Sequence, residues 1–221
     1  MEPGNFFDIT LFDRERLDTP FVIPWPLPGN PAGLLEFHRY PDWHTFISVV
    51  GLHEAIPHIV ASKFERAQRL YLLAWIDMGL VKAGELVALS ALELALKDRY
   101  GAYFREKYVN SKNKRLREQG PSLSELLEHL VRHDGLTDSQ LPFTLRYGGS
   151  IIPALLRSKA TGDPSIAQIA SRPMLSDIRN ALAHGDPFDS LPWSGLLELV
   201  RDLIQYAYRT YLQEYDDARR A

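Results

Sequence analysis

The stretch that decides the fold lies at positions 175–185 and reads Leu175-Ser176-Asp177-Ile178-Arg179-Asn180-Ala181-Leu182-Ala183-His184-Gly185. Its apolar residues Leu175, Ile178 and Leu182 recur at intervals of three and four residues, which is the period of one helix face. Gly185 follows as a helix-ending residue, because glycine adopts the left-handed conformation that closes many helices. The stretch therefore predicts a helix at about 174–184 whose apolar face lies on a core.

The polar residues of this predicted helix have the chemistry of a phosphodiester site. A turn of about 100° per residue places Asn180 and His184 on one face, as an i, i+4 pair. Arg179 lies about 140° around the helix and about 7.5 Å along its axis from His184, a gap that a long side chain bridges. A guanidinium donates paired hydrogen bonds to phosphoryl oxygens, and a histidine takes or delivers a proton near neutral pH. The alternative is a structural role, with helix capping and a surface ion pair from Arg179 to Asp177 or Asp186.

Helical periodicity continues over most of the chain, and strand signals are nearly absent after residue 55. The predicted helices run from about Ile59 to Gly79, from about Ala83 to Tyr100, onward from a capping box at Ser122–Glu125, over Pro164–Ala170, and onward from about 190–194. Gly101 predicts the end of the second of these helices. The expected fold is all-α, an antiparallel helical bundle that occupies 59–221.

The first 58 residues have a different composition. Prolines recur through this segment, and the run Pro24-Trp25-Pro26-Leu27-Pro28 cannot form a helix interior. Aromatic residues are dense as well, which is untypical of a disordered tail. We expect an irregular N-terminal arm at 1–58, with a short strand at Phe21–Ile23, that packs its aromatic side chains on the helical body.

Composition excludes several classes of protein. Cysteine is absent, which excludes disulfides, a thiolate nucleophile and zinc sites built on cysteine. The N-terminus lacks the pattern of a signal peptide, and apolar runs stay shorter than the roughly 20 residues of a membrane span, so we expect a cytoplasmic protein with no membrane partner. The net charge of −3 is untypical of a dedicated duplex-DNA binder, although a small RNA site needs only local positive charge.

The run Arg179-Asn180-Ala181-Leu182-Ala183-His184 resembles the Arg-polar-x-x-x-His signature of the higher eukaryotes and prokaryotes nucleotide-binding (HEPN) family. Two further stretches resemble that family's early and middle helices, namely 91–97 (ALELALK) and 124–128 (SELLE). The resemblance covers about 59–214. One departure is Asp186, which stands where some toxin members have a tyrosine.

The resemblance implies a function and a set of partners. It implies an endoribonuclease that uses no metal and no cofactor and cleaves single-stranded RNA through attack of the 2′-hydroxyl. Arg179 and His184 are then essential and Asn180 supports them. It also implies a homodimer, and a toxin or antiviral role in which an antitoxin or regulatory protein is a further partner. Some family members are non-catalytic modules that bind a nucleotide or a protein, and this alternative stays open.

Weaker signals lie outside the motif. Four basic residues at Lys112, Lys114, Arg115 and Arg117, preceded by Lys107, either contact RNA phosphates or form an ordinary solvated loop. His129 and His133, with Glu125 one turn earlier, have metal-ligand spacing, but a solvated helix face is the expected account. Glu93 and Lys97 predict a helix-stabilising i, i+4 pair.

Overall fold

The fold is mostly helical, as the sequence predicts. The computed structural model describes residues 12, 15–16, 18–109, 120–156, 174–185 and 191–220. Over these residues, the strands are β1 (Phe21–Pro24) and β2 (Leu34–Phe37), and the helices are α1 (Tyr40–Ser48), α2 (His58–Leu73), α3 (Leu80–Val109), α4 (Leu123–Arg132), α5 (Pro142–Tyr147), α6 (Ile152–Leu155), α7 (Leu175–Ala183) and α8 (Leu196–Arg220). A 3₁₀ turn at Asp138–Gln140 precedes α5. The helix predicted at Pro164–Ala170 lies outside the described residues.

The N-terminal arm is more regular than predicted. The strand expected at Phe21–Ile23 is present as β1, which pairs antiparallel with β2 so that Phe21 faces Phe37. Helix α1 was not predicted, and its Pro41 lies in the first turn, where a missing amide proton breaks no helical hydrogen bond. From residue 18 onward the arm therefore contains a hairpin followed by a helix, and the prediction of an irregular segment was wrong for this part.

Aromatic residues of the arm lie in the same core as the helical body. Trp25 and Trp43 are both fully buried. Trp43 donates its indole N–H to the carbonyl oxygen of Tyr71 at 3.0 Å, and Trp25 donates to Glu198 Oε2 at 3.3 Å. These bonds satisfy the one polar group of each buried ring. The division of the chain at residue 58 stays a prediction.

Helix α3 is the longest element and differs from its predicted span at both ends. Helix α2 ends at Leu73, short of the predicted Gly79, and Asp77 Oδ1 accepts the Gly79 N–H at 2.9 Å in the intervening turn. Helix α3 then continues past Gly101 to Val109, because Phe104 and Tyr108 extend its buried face. Gly101 is thus an interior residue of the helix, and the prediction that it ends the helix was wrong.

Helices α2, α4, α7 and α8 pack on α3. Tyr108 donates to Glu125 and Tyr100 donates to Asp134, so α4 runs antiparallel to α3. Helix α4 begins at the predicted capping box, in which Ser122 N–H donates to Glu125 Oε2 at 2.9 Å. Helix α7 lies on α3 beside α4. Within the described part of the chain, no helix has both the length and the apolar character that a membrane span needs.

Helix α8 lies on another side of α3 and runs parallel to it. Asp98 accepts the hydroxyl hydrogen of Tyr208, and Arg99 donates to the carbonyl oxygen of Ala207. Nearer the start of both helices, Trp193 donates its backbone N–H to Glu85. The contacts therefore follow the same direction along α3 and α8.

Two glycines of α3 give a paired test of its continuity. A methyl group at Gly101 meets nothing nearer than Arg105 Nη1 at 3.8 Å, whereas a methyl group at Gly84 meets the Tyr71 ring at 2.6 Å. We expect Gly101→Ala to raise the free energy of unfolding by about 0.5–1 kcal/mol, because alanine loses less backbone entropy in a helix. Gly84→Ala lowers it by about 1–3 kcal/mol, because the core is overpacked. Urea denaturation measures both, and a loss of stability in Gly101→Ala contradicts an unbroken α3.

Candidate functional site

The motif helix α7 buries its apolar side, as the sequence predicts. Leu175 and Leu182 are buried, and Ile178 is partly buried against the same core. The backbone N–H of His184 donates to the carbonyl oxygens of Asn180 and Ala181 at 3.0 and 3.1 Å, so His184 is the C-cap residue of α7. Gly185 follows with φ of +112°, a conformation that favours glycine, and it ends the helix at the predicted place.

Arg179 is held against α3 rather than directed at His184. Its Nη2 donates to Glu93 Oε2 at 2.7 Å, and its Nη1 donates to Asn180 Oδ1 at 3.2 Å. The Nε atom is buried and has no hydrogen-bond partner among the described residues. The side chain is still 30% exposed, so the guanidinium is fixed in direction without being enclosed.

Glu93 is the site residue that the sequence analysis missed. The predicted pair with Lys97 is present, at 2.7 Å between Lys97 Nζ and Glu93 Oε1. The second oxygen of the same carboxylate binds Arg179, which lies 86 positions away in the chain. Since the local pair already accounts for Glu93, its sequence gave no reason to expect a distant partner. The alternative structural role gave Arg179 an ion pair with Asp177 or Asp186, whereas the described ion-pair partner is Glu93. Asp186 lies outside the described residues.

Glu93 and its two partners, Lys97 and Arg179, together have a net positive charge. Two cations, Arg179 and Lys97, share one carboxylate, and the Lys97 side chain is 39% exposed. The Glu93 side chain is only 13% exposed, so its charge is shielded from solvent by its two partners. An anion that approaches this surface therefore meets the cations first.

His184 and Asn180 are both exposed at the C-terminal end of α7. Among the described residues none hydrogen-bonds to the His184 imidazole. The carbonyl groups that end a helix carry partial negative charge, which favours a cation at this position. The arrangement combines a guanidinium held by hydrogen bonds with an exposed imidazole on one short helix.

The predicted basic cluster cannot be placed beside this site. Lys112, Lys114, Arg115 and Arg117 lie outside the described residues. Lys107, the residue of the cluster that is described, is exposed on α3.

The histidine pair on α4 does not lie on a simple solvated face. His133 is exposed, but His129 is partly buried among the rings of Tyr100, Tyr103 and Phe104, and the two imidazoles stack at 4.9 Å. Glu125, the third residue of the metal spacing, accepts hydrogen bonds from Tyr108 and Ser122. In the part of the chain that the structure describes, no three side chains of the metal-binding types are grouped to hold an ion. The expectation of a solvated face was therefore wrong for His129.

Comparison with known proteins leaves the family resemblance untested. The chain matches no protein-family model, no curated protein and no solved structure. The HEPN resemblance consequently rests on the residues of the motif and its neighbouring helices alone.

The link between Glu93 and Arg179 is measurable as a coupling energy. We expect a double-mutant cycle of Glu93→Gln and Arg179→Gln to give a coupling of about 1–2 kcal/mol, because the pair is partly shielded from solvent. The exposed pair Glu65–Arg69, at 3.9 Å, is the matched control and gives a coupling of about 0.5 kcal/mol or less. Urea denaturation of the variants measures both. Equal couplings contradict a fixed Arg179.

His129 makes stability depend on pH. Burial lowers its pKa, His133 and Lys107 lower it further, and Asp134 acts in the opposite direction. A histidine with a lowered pKa contributes stability that is complete above the unfolded pKa of about 6.5 and is lost as the pH falls below it. We expect the unfolding free energy to fall between pH 7 and about pH 5.5, and to fall less in His129→Phe.

Asp134, which lies near His129, affects stability in a lower pH range. Hydrogen bonds from Arg209 and Tyr100 lower the pKa of Asp134 despite its burial, so its contribution is lost only around pH 4 and below. If the unfolding free energy of His129→Phe depends on pH as in the wild type, His129 is not the source of this pH dependence. Chemical denaturation at a series of pH values gives the slopes.

Proposed function

We propose that the chain is a metal-independent endoribonuclease that cleaves single-stranded RNA. The observation that supports it is the fixed guanidinium of Arg179 on the same short helix as the exposed imidazole of His184. Oriented charge and a proton-transfer group are the two requirements of phosphodiester cleavage without a metal. The resemblance of 179–184 to the HEPN signature supplies the reaction class.

The proposed reaction is an internal transesterification. The 2′-oxygen bonds to the adjacent phosphorus and loses its proton to a base, and the bond from phosphorus to the 5′-oxygen breaks as that oxygen gains a proton. The products are a 2′,3′-cyclic phosphate and a 5′-hydroxyl. His184 transfers a proton, and Arg179 stabilises the charge that grows on the non-bridging oxygens. Asn180 accepts a hydrogen bond from Arg179 and so helps to orient the guanidinium.

The reaction needs both a base and an acid, while one chain supplies one motif histidine. We therefore propose a homodimer in which two copies of α7 face a shared cleft, so that each contributes its His184. A toxin or antiviral role, with an antitoxin or regulatory partner, follows from the same resemblance and belongs to the proposal.

A non-catalytic binding module is the second candidate, and one observation favours it. Glu93 and Asn180 already accept hydrogen bonds from Nη2 and Nη1 of Arg179, as they would if the arginine served to dock α7 on α3. In that case the exposed His184 and Lys97 remain as a small cationic surface for a nucleotide phosphate.

Digestion of single-stranded RNA in excess chelator distinguishes the two candidates. We expect the wild-type protein to yield 2′,3′-cyclic phosphate ends, and His184→Ala to lower the rate by about 10²–10⁴-fold, because proton transfer is lost. His44→Ala is the matched control, since His44 is also exposed and lies on α1. It keeps the wild-type rate.

The fold of each variant is checked by its thermal melting curve. Cleavage at the wild-type rate in a folded His184→Ala variant rejects the assignment of His184. If the wild-type protein binds RNA and stabilises on binding but never cleaves it, the non-catalytic module is the correct function.

A further inference from the structure

A cleft between α3 and α4 has no part in the proposed chemistry. It has a volume of about 250 Å³ and is lined by Phe104, Lys107, Glu125, Glu128, His129, Arg132 and His133. We call it the histidine cleft. The Tyr103 ring stands beside it, 4.4 Å from the His129 ring and 5.8 Å from the His133 ring.

Two rings at this cleft present surface to solvent. Tyr103 is 39% exposed and His133 is exposed, although both belong to a packed cluster of rings. Behind them, His129 is held between Tyr100 and Tyr103. An exposed ring that its neighbours hold in place loses little entropy when another flat ring stacks on it.

Lys107 is a cation of the cleft that forms no ion pair with a described carboxylate, although its charge helps to lower the pKa of Glu125. Its Nζ lies 5.8 Å from the Tyr103 ring centre and 5.6 Å from that of Phe104, and no described carboxylate lies within salt-bridge distance. The acidic residues of the cleft have other partners. Glu128 pairs with Arg132 at 3.2 Å, and Glu125 accepts hydrogen bonds from Tyr108 and Ser122. The cleft therefore offers ring faces together with an exposed ammonium group.

The cleft and the motif lie along one face of α3. Glu93, Lys97, Tyr100, Phe104 and Lys107 follow one another at alternating intervals of four and three residues, which is the period of a single helix face. Tyr103 stands about 15 Å along the axis from Glu93, at 1.5 Å per residue. Helix α7 covers this face near Glu93, and α4 covers it near Phe104.

From this placement we propose that the histidine cleft binds one nucleobase of the same single-stranded RNA whose backbone lies at Arg179 and His184. The base stacks on Tyr103 and His133, and Lys107 binds a neighbouring phosphate. Since Tyr103 stands about 15 Å along α3 from Glu93, the bound base and the cleaved bond belong to different nucleotides of one strand. This inference rests on the proposed function, since it names where that substrate is held.

Binding to a variant that does not turn over tests the cleft independently of cleavage. The probe is a fluorescein-labelled eight-nucleotide single-stranded RNA, titrated by anisotropy into the full chain carrying His184→Ala. We expect Tyr103→Ala to weaken binding about five-fold or more and Tyr103→Phe to restore it, because stacking needs the ring and not the hydroxyl. His133→Ala, at an exposed position, gives a second and independent loss.

Tyr211 provides the matched control. It is 41% exposed on α8, and Tyr211→Ala leaves the affinity unchanged. Lys107→Gln weakens binding and also reduces its dependence on salt, which a purely structural effect does not do. Equal affinity of the Tyr103→Ala and control proteins, with both folded, overturns the proposal.

Cleavage by the otherwise wild-type enzyme separates this proposal from the proposed function. Tyr103→Ala raises KM for the eight-nucleotide substrate and leaves kcat unchanged, while a dinucleotide, too short to reach the cleft, is cleaved equally by both proteins. If the enzyme cleaves and Tyr103→Ala has no effect on KM, the cleft proposal fails and the nuclease stands. If nothing is cleaved, the nuclease proposal fails, and the anisotropy result alone decides whether the cleft holds RNA.

Discussion

The unbroken backbone of α3 is the constraint on which the rest of the structure depends. Its 30 residues extend over about 45 Å and give each neighbouring helix a surface to pack on. Small residues such as Gly84 allow α2 to approach closely, and polar residues at other heights bind the remaining helices: Asp98 and Arg99 bind α8, Tyr108 binds the start of α4, and Glu93 binds α7. Because these anchors stand on one rigid helix, their spacing sets the spacing of the elements that they hold.

Helix α7 depends on that scaffold more than any other element of the proposed site. It has nine residues, and an isolated helix of that length is only marginally stable in water. Its apolar residues hold it on the core, but apolar contacts are non-directional and leave the rotation of the helix about its axis loosely defined. The hydrogen bond from Arg179 to Glu93 is directional and restricts that rotation. The charged pair therefore defines how the helix is turned, and with it the direction in which His184 faces.

What the sequence predicted correctly was local, and what it missed was distant. The capping box at Ser122, the apolar side of α7 and the pair of Glu93 with Lys97 each depend on residues within one or two turns. The prediction of a helix end at Gly101 was wrong because the apolar face of α3 continues beyond this glycine. Phe104 and Tyr108 form that continuation. The bond from Glu93 to Arg179 and the ring cluster around His129 join separate helices, so no spacing in the sequence encodes them.

The net charge of −3 is compatible with an RNA substrate because the charges are unevenly paired. Glu93 pairs with both Lys97 and Arg179, so these three residues together keep one positive charge. In the histidine cleft, Glu128 pairs with Arg132 and Glu125 accepts hydrogen bonds from Tyr108 and Ser122, while Lys107 stays exposed on the same face of α3. Positive charge therefore stands at both ends of the proposed contact with RNA.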